Sequence, residues 1–224
     1  MGLHFSMISA AFLMSFPALF SIVNPVAGVF IFREATAEWS EDQRVLLARK
    51  VGLYSLLVML VALVAGSYVL EVFGISLAAL RIAGGLVLAL FAWELLGAPE
   101  KREVRKQAQA AEASHGGSID DVAFFPLTLP FTTGPGTIAV ATALGAGHPT
   151  HDPYSFLIGV MLAAAALAAT ITLMYSNADR ISSVLGRNGS RTVTRLSAFL
   201  LFCIGVQLLI TGVEGVLQPL LRGL

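Results

Sequence analysis

Long apolar runs are the feature that most restricts how this chain can fold. A helix needs about 20 consecutive apolar residues to cross a bilayer core of about 30 Å. The sequence has six such runs, at approximately 5–32, 45–70, 75–96, 122–144, 154–175 and 193–217. Only 12% of its 224 residues are charged, whereas soluble domains average about 25%. The sequence therefore predicts an all-α membrane protein, with residues 1–224 forming a single transmembrane domain of six transmembrane helices.

Lys and Arg residues are concentrated in alternate connections between the runs. The connections after the first and third runs and before the sixth are basic, while the turns at about 71–74 and 147–153 contain no Lys or Arg. Cytoplasmic loops of membrane proteins carry the excess of these residues. The pattern predicts a multi-pass protein with both termini outside. The basic residues are Arg33, Arg44, Arg49 and Lys50; Lys101, Arg102, Arg105 and Lys106; and Arg180, Arg187, Arg191 and Arg195.

Two of the runs contain residues that a continuous helix does not favour. The first has Asn24-Pro25, and the fourth has Gly134-Pro135-Gly136 within a proline-rich and threonine-rich stretch that begins at Phe125. Proline lacks an amide proton, and it disfavours the α region for the residue before it. At membrane depth the freed backbone groups must be buried in protein or line a polar cavity. The sequence predicts that the first and fourth helices are broken.

The two halves of the chain resemble each other. Phe16-Pro17 followed by Asn24-Pro25 recurs as Phe125-Pro126 followed by Gly134-Pro135, about 110 residues later. A unit of three spans must enter the membrane in opposite orientations in its two copies, as in many secondary transporters. We therefore predict two inverted three-helix repeats. The divisions are 1–99 for the first repeat, 100–121 for a cytoplasmic linker and 122–224 for the second repeat.

The two breaks are the candidate binding site. A half-helix that starts at a break exposes unpaired amides and a partial positive charge, which suit a carboxylate or another small anion. Short polar side chains nearby could orient a zwitterion. The alternative is that the prolines only kink the helices, since Pro and Gly are common in membrane helices. The predicted substrate-binding residues are Asn24, Pro25, Thr132, Thr133, Gly134, Pro135, Gly136 and Thr137.

Two charged residues in the third run are candidates for a charge partner or a gate. Arg81 lies about two turns into the run, where an ionisable side chain needs a partner. Glu71, Glu214 or a substrate carboxylate could be the charge partner of Arg81. Alternatively, Arg81 reaches the outer headgroups or caps carbonyls of a neighbouring break. Glu94 lies beside Trp93 near the cytoplasmic end. It is either an interfacial glutamate or a proton acceptor.

Other functional classes find little support in the sequence. The formal net charge is zero and the chain has one cysteine, so nothing points to nucleic-acid binding, a disulfide or a cysteine metal site. The sequence contains neither a phosphate-binding Walker A motif nor His-Glu-x-x-His. We therefore expect no catalytic residues, no resident metal or cofactor, and no enzymatic activity.

Four groups of motifs occur in order along the chain: Val23-Asn24-Pro25-Val26-Ala27-Gly28 with Phe30-Ile31-Phe32, Arg81-Ile82-Ala83-Gly84-Gly85, Pro130 with Gly134-Pro135-Gly136-Thr137-Ile138, and Gly205-Val206-Gln207 with Gly212-Val213. Together they resemble the MarC family, UPF0056-type inner-membrane proteins of bacteria and archaea that are related to amino-acid exporters of the LysE type. Two details depart from the usual family pattern: Ala27 stands between Asn24-Pro25-Val26 and Gly28, and Thr133 stands where Ala often precedes Gly-Pro-Gly.

The resemblance implies a transporter of small neutral amino acids such as glycine and alanine in the cytoplasmic membrane. This agrees with a site for a small zwitterion between two breaks, worked by alternating access. The expected partners are the amino acid, a coupling ion (proton or sodium), the lipid bilayer and further copies of the chain. Two alternatives stay open: a cation or metal transporter that uses the same breaks, and a non-transporting membrane scaffold whose partner docks on the segment 100–121.

Overall fold

The computed structural model describes residues 4–97, 118–147 and 152–222, and within these ranges the regular structure is helical throughout. Most of the predicted cytoplasmic linker, 100–117, lies outside the described residues. The helices are α1 (Phe5–Val23), α2 (Pro25–Ala35), α3 (Glu41–Val72), α4 (Leu77–Gly97), α5 (Ile119–Val122), a π-helical segment (Ala123–Thr132), α6 (Pro135–Ala146), α7 (Pro153–Ser176) and α8 (Ala178–Arg222).

Five helical stretches of the described chain are long and apolar enough to cross a membrane. They are Phe5–Ala35, Glu41–Gly66, Ala78–Gly97, Pro153–Ser176 and Arg191–Leu217, and they correspond to five of the six predicted runs. The fourth predicted run differs. Its only α-helix of substantial length, α6, has 12 residues, about 18 Å, which is short of a bilayer core. The rest of that run belongs to the π segment.

The first interruption lies at a single residue. Asn24 has φ 49° and ψ 64°, the left-handed region that Asn adopts more readily than most residues. The side-chain oxygen of Asn24 accepts a hydrogen bond from the Ala27 amide at 3.3 Å, which caps α2;. Pro25 takes the first position of α2, where its missing N–H costs nothing. Pro17, in contrast, lies inside α1, so a proline alone does not end this helix.

The second interruption covers a longer stretch of chain than the first. Extended backbone already occurs at Phe125 (φ −128°, ψ 122°) and at Leu129 (φ −111°, ψ 122°). Each precedes a proline, and proline disfavours helical backbone at the residue before it. The α-helix resumes only at Pro135. The irregular backbone therefore lies within the proline-rich and threonine-rich stretch that begins at Phe125.

Threonine hydroxyls supply hydrogen bonds inside the π segment. Thr128 donates to the carbonyl of Ala123 at 2.7 Å, and Thr132 donates to the carbonyl of Leu127 at 2.7 Å. Both threonines are buried. Buried carbonyls must find a donor, especially where no water is present. The repeated pattern Pro-x-Thr thus places a proline and a hydroxyl donor to a nearby carbonyl within the same few residues.

The helices form a bundle in which α4 packs along α8, α1 along α7, and α3 along both α6 and α7. Close contact between α4 and α8 depends on glycine: a Cβ on Gly85 would lie 2.6 Å from the carbonyl oxygen of Gly205. Small residues allow membrane helices to approach in this way. The outer surface is apolar, with Leu53, Leu57 and Val61 exposed along one side of α3, as expected of a face in contact with lipid.

Candidate functional site

The two interruptions lie next to each other. Ile22 is in the last turn of α1, two residues before Asn24, and Gly136 is the second residue of α6. A Cβ built on Gly136 would lie 3.1 Å from the Cδ1 atom of Ile22. The structure therefore brings together the two breaks that the sequence analysis identified separately, although about 110 residues separate Pro25 from Pro135.

Asn24 is 7% exposed and uses both ends of its amide. Its oxygen caps α2, and its Nδ2 atom donates to Oγ1 of Thr194 on α8 at 3.4 Å. Thr194 is fully buried, and the sequence analysis did not include it among the site residues. No motif around it predicts this contact, because the two residues lie in different halves of the chain.

The predicted threonines are buried beside the breaks, but two of them already bond the backbone. Thr133 donates to the carbonyl of Thr128 at 3.1 Å, and Thr132 donates to Leu127. Their hydroxyl protons are therefore occupied, while their oxygen atoms keep lone pairs that can accept a hydrogen bond. Thr137, in the first turn of α6, is also buried.

The start of α6 presents backbone donors. Gly134 precedes the helix in an extended conformation, and its carbonyl accepts from the amide of Ile138 at 3.2 Å. Because Pro135 has no N–H, helix geometry leaves the amides of Gly136 and Thr137 without a carbonyl partner four residues earlier in the helix. These amides carry the partial positive charge of the helix start. Helix starts of this kind favour small anionic groups in general.

Tyr175, near the end of α7, links both interruptions. Its hydroxyl lies 3.1 Å from Oγ1 of Thr132, and its ring stacks on Phe32 of α2 with centroids 4.9 Å apart. The same hydroxyl occupies the space where a Cβ on Gly28 would lie. Sequence analysis placed Tyr175 only at the end of a predicted span, where tyrosine is common at membrane interfaces. Its burial, at 3% exposed, is what sets it apart.

Arg81 and Glu94, the two predicted charged residues, both lie away from the two interruptions. An Nη atom of Arg81 lies 3.9 Å from the Cβ position of Gly147, the residue that follows α6. Arg81 is thus near the C-terminal end of α6, about 18 Å along the helix from Pro135, where a positive charge is favourable. This end of α6 lies away from the break at Pro135, and a role of Arg81 as charge partner or gate stays a prediction. Glu94 lies in the last turn of α4 and is exposed.

An ion-pair cluster joins three helices at the end of the bundle near Tyr175. Asp179, at the start of α8, bonds Arg44 of α3 at 2.8 Å and Arg33 of α2 at 3.1 Å. Arg33 also donates to Ser182 at 3.2 Å. The hydrogen bond from Arg44, with the charges of both arginines, holds the pKa of the Asp179 carboxyl below its usual value against a smaller effect of burial. The cluster connects elements from the two halves of the chain.

An all-helical bundle with several apolar, membrane-length helices defines an integral membrane protein. A family model described as "MarC family integral membrane protein" matches residues 9–217. The UPF0056 membrane protein MJ1677 of Methanocaldococcus jannaschii is 33% identical over 208 residues, which are 92% of this chain and 97% of that protein. The chain therefore belongs to the MarC family, which confirms the resemblance seen in its motifs.

Bacterial relatives show the same extent of similarity. The UPF0056 membrane protein YvbG of Bacillus subtilis is 32% identical over 205 residues, covering 92% of this chain and 95% of that protein. The UPF0056 inner membrane protein MarC of Salmonella typhimurium is 30% identical over 204 residues, covering 89% and 92%. These names give a membrane location and no substrate. No solved structure matches the chain.

Proposed function

We propose that this protein is a secondary transporter of small neutral amino acids, of the glycine and alanine class, rather than an enzyme. The observation that carries the proposal is the closeness of Gly136 to Ile22, since a Cβ on Gly136 would lie 3.1 Å from the Cδ1 atom of Ile22; this supports two interrupted segments that lie side by side. Discontinuous helices that meet inside a membrane protein are a recurrent way of building a substrate site for a transporter.

The chemistry of the two segments suits a zwitterion. The amides at the start of α6 offer donors and a partial positive charge to a carboxylate. Carbonyl and hydroxyl oxygens of the π segment, such as those of Thr132 and Thr133, offer acceptors to an ammonium group. The surrounding side chains are closely packed and Thr132, Thr133 and Thr137 are buried, which favours a substrate with a small side chain.

The packing of the helices supports two inverted repeats with broken first and fourth spans. Exchange of the halves would replace α1 and α2 by the π segment and α6, α3 by α7, and α4 by α8. Under this exchange the pair α1–α7 becomes the pair α6–α3, and both pairs are packed in the bundle. The pair α4–α8 becomes itself, and these two helices are also packed together. The proposal places 1–99 and 122–224 as the two repeats, with both termini outside the cytoplasmic membrane.

A cation transporter is the second candidate, and one feature favours it. The π segment concentrates carbonyl and hydroxyl oxygens at Ala123, Leu127, Thr128 and Thr132. Unwound backbone carbonyls of this kind coordinate sodium in secondary transporters. The same oxygens could instead hold a coupling ion, proton or sodium being the alternatives, next to the amino acid.

Uptake into proteoliposomes tests the proposal. Purified protein would be reconstituted, its folding checked by thermal melting, and uptake of labelled glycine and alanine measured with imposed pH or sodium gradients. Protein-free liposomes control for leakage. Saturable uptake that responds to one gradient is the expected result and identifies the coupling ion. If folded protein moves labelled sodium but no amino acid, the cation transporter is correct; if it moves neither, the scaffold alternative replaces both.

A further inference from the structure

Tyr175 lies at the point where both halves of the candidate site meet. It belongs to α7, yet its ring packs on Phe32 of α2 and its hydroxyl reaches Thr132 of the π segment. The hydroxyl also lies against Gly28. A side chain buried among hydrocarbon groups does not place a hydroxyl there without a partner, because an unbonded polar group is costly in that environment.

The direction of the hydrogen bond between Tyr175 and Thr132 can be assigned. Thr132 has one hydroxyl proton, and the carbonyl of Leu127, 2.7 Å away, can only accept;. The proton of Thr132 therefore points to Leu127. Tyr175 must then donate its own proton to the Thr132 oxygen across 3.1 Å. Because the Tyr175 proton is used in this bond, its oxygen has only lone pairs left, and it can accept a further hydrogen bond but cannot donate one.

We propose that Tyr175 is a substrate-binding residue whose hydroxyl oxygen accepts a hydrogen bond from the ammonium group of the transported amino acid. This rests on the proposed function and adds a specific contact to it. The carboxylate goes to the amides of Gly136 and Thr137, which only donate, and the ammonium goes to Tyr175, which only accepts. The two groups of a zwitterion are thereby distinguished, and the substrate has one orientation.

The test compares alanine with propionate, which has the same carbon skeleton and carboxylate but no ammonium group. Binding of alanine and inhibition of alanine uptake by propionate would be measured in wild type and in Tyr175→Phe, which keeps the ring on Phe32. We expect alanine affinity to fall about tenfold or more, the usual effect of losing a hydrogen bond to a charged group, with inhibition by propionate unchanged. A Tyr154→Phe variant, at the exposed start of α7, is the matched control and should behave as wild type.

Thr132→Val provides a second variant, since it removes the acceptor that fixes the Tyr175 hydroxyl, and it should weaken alanine more than propionate. An unchanged alanine affinity in folded Tyr175→Phe would overturn the proposal. Equal weakening of both ligands would also overturn it, because a purely structural role affects both. Either result leaves the transporter itself in place, whereas failure of the wild type to bind any amino acid contradicts the proposed function instead.

Discussion

Asn24 and Thr194 are joined by a hydrogen bond of 3.4 Å although they are 170 positions apart. The bond fastens the first interruption to α8, while the opposite end of the same amide caps α2. Asn24 thus has three roles: its backbone adopts the left-handed conformation, its side-chain oxygen caps α2, and its side-chain nitrogen bonds the other half of the chain.

Replacement of Asn24 should separate these contributions. Asn24→Ala loses a helix cap worth about 1 kcal/mol. It also puts alanine in the left-handed region, where alanine has no side-chain hydrogen bond to offset the steric cost of its Cβ, and this costs about 1 kcal/mol more. Asn24→Gly loses the cap contact but tolerates the backbone. We expect thermal melting to rank wild type above Asn24→Gly, and Asn24→Gly above Asn24→Ala. Equal stability of the two variants would show that the conformation at φ 49° carries no cost.

Substitution of Thr128 tests how much its hydroxyl hydrogen bond stabilises the π segment. Thr128→Val keeps the shape of the side chain but removes the hydroxyl that donates to the Ala123 carbonyl, which should cost about 1 kcal/mol. Thr128→Ser restores the hydroxyl and should recover most of the loss. Melting temperature in detergent is the measurement. A Val variant as stable as the Ser variant would mean that another donor reaches this carbonyl.

Gly136→Ala probes the space between the breaks. The added Cβ would meet only the end of the flexible Ile22 side chain, at 3.1 Å, so the protein should still fold. A methyl group at this point should nevertheless reduce alanine uptake about tenfold or more, as one carbon does in a tight pocket. Gly84→Ala is the matched control, because nothing lies within 4 Å of its Cβ position. Equal uptake by both variants would contradict the assigned location of the site.

Gly28 and Tyr175 should show coupled effects. Gly28→Ala drives a methyl group into the Tyr175 hydroxyl, so it should destabilise the protein. Part of this loss should disappear when Tyr175→Phe is also present, since the hydroxyl that meets the methyl group is then absent. The double-mutant cycle should give a coupling of about 0.5 to 3 kcal/mol, the range for residues in contact. Simple additivity would mean that the two residues do not touch.

Asp179 makes stability depend on pH. Its pKa is lowered in the folded protein, so its ion pairs stabilise the fold at neutral pH, and the contribution is lost as pH falls below the ordinary value of 3.8 and through the lowered one. The carboxylate is 62% exposed, which limits the effect to less than about 1 kcal/mol. Asp179→Asn should lower the melting temperature at pH 7 and flatten its fall toward acid. Asp42→Asn, also exposed, should do neither.

The sequence was informative wherever a physical rule applies over a short range. Apolar length predicted the membrane helices, and the unfavourable pair Asn24-Pro25 predicted the end of α1. Pro17 shows the limit, because its helix continues and the packing that tolerates it is set by distant residues. The stretch from Phe125 to Gly136 was singled out by its prolines and glycines, but the sequence did not show at which of its residues the backbone becomes extended.

Contacts between distant segments lay beyond sequence reasoning. The sequence did not show that the hydroxyl protons of Thr132 and Thr133 are bonded to carbonyls five residues earlier. Tyr175 and Thr194 are ordinary residues at the ends of apolar runs, and only tertiary packing brings them to the breaks. Whether the predicted residues bind a substrate stays a prediction that the Gly136 variant addresses directly.

The Pro-x-Thr pattern has a consequence for movement. Where a membrane helix is interrupted, a neighbouring helix, a Ser or Thr side chain or an ordered water can bond the freed backbone groups. In the π segment the donors at Thr128, Thr132 and Thr133 travel with the carbonyls that they serve. These bonds would therefore be kept if the segment changed its position in the bundle, whereas the contact between Thr132 and Tyr175 of α7 would be lost.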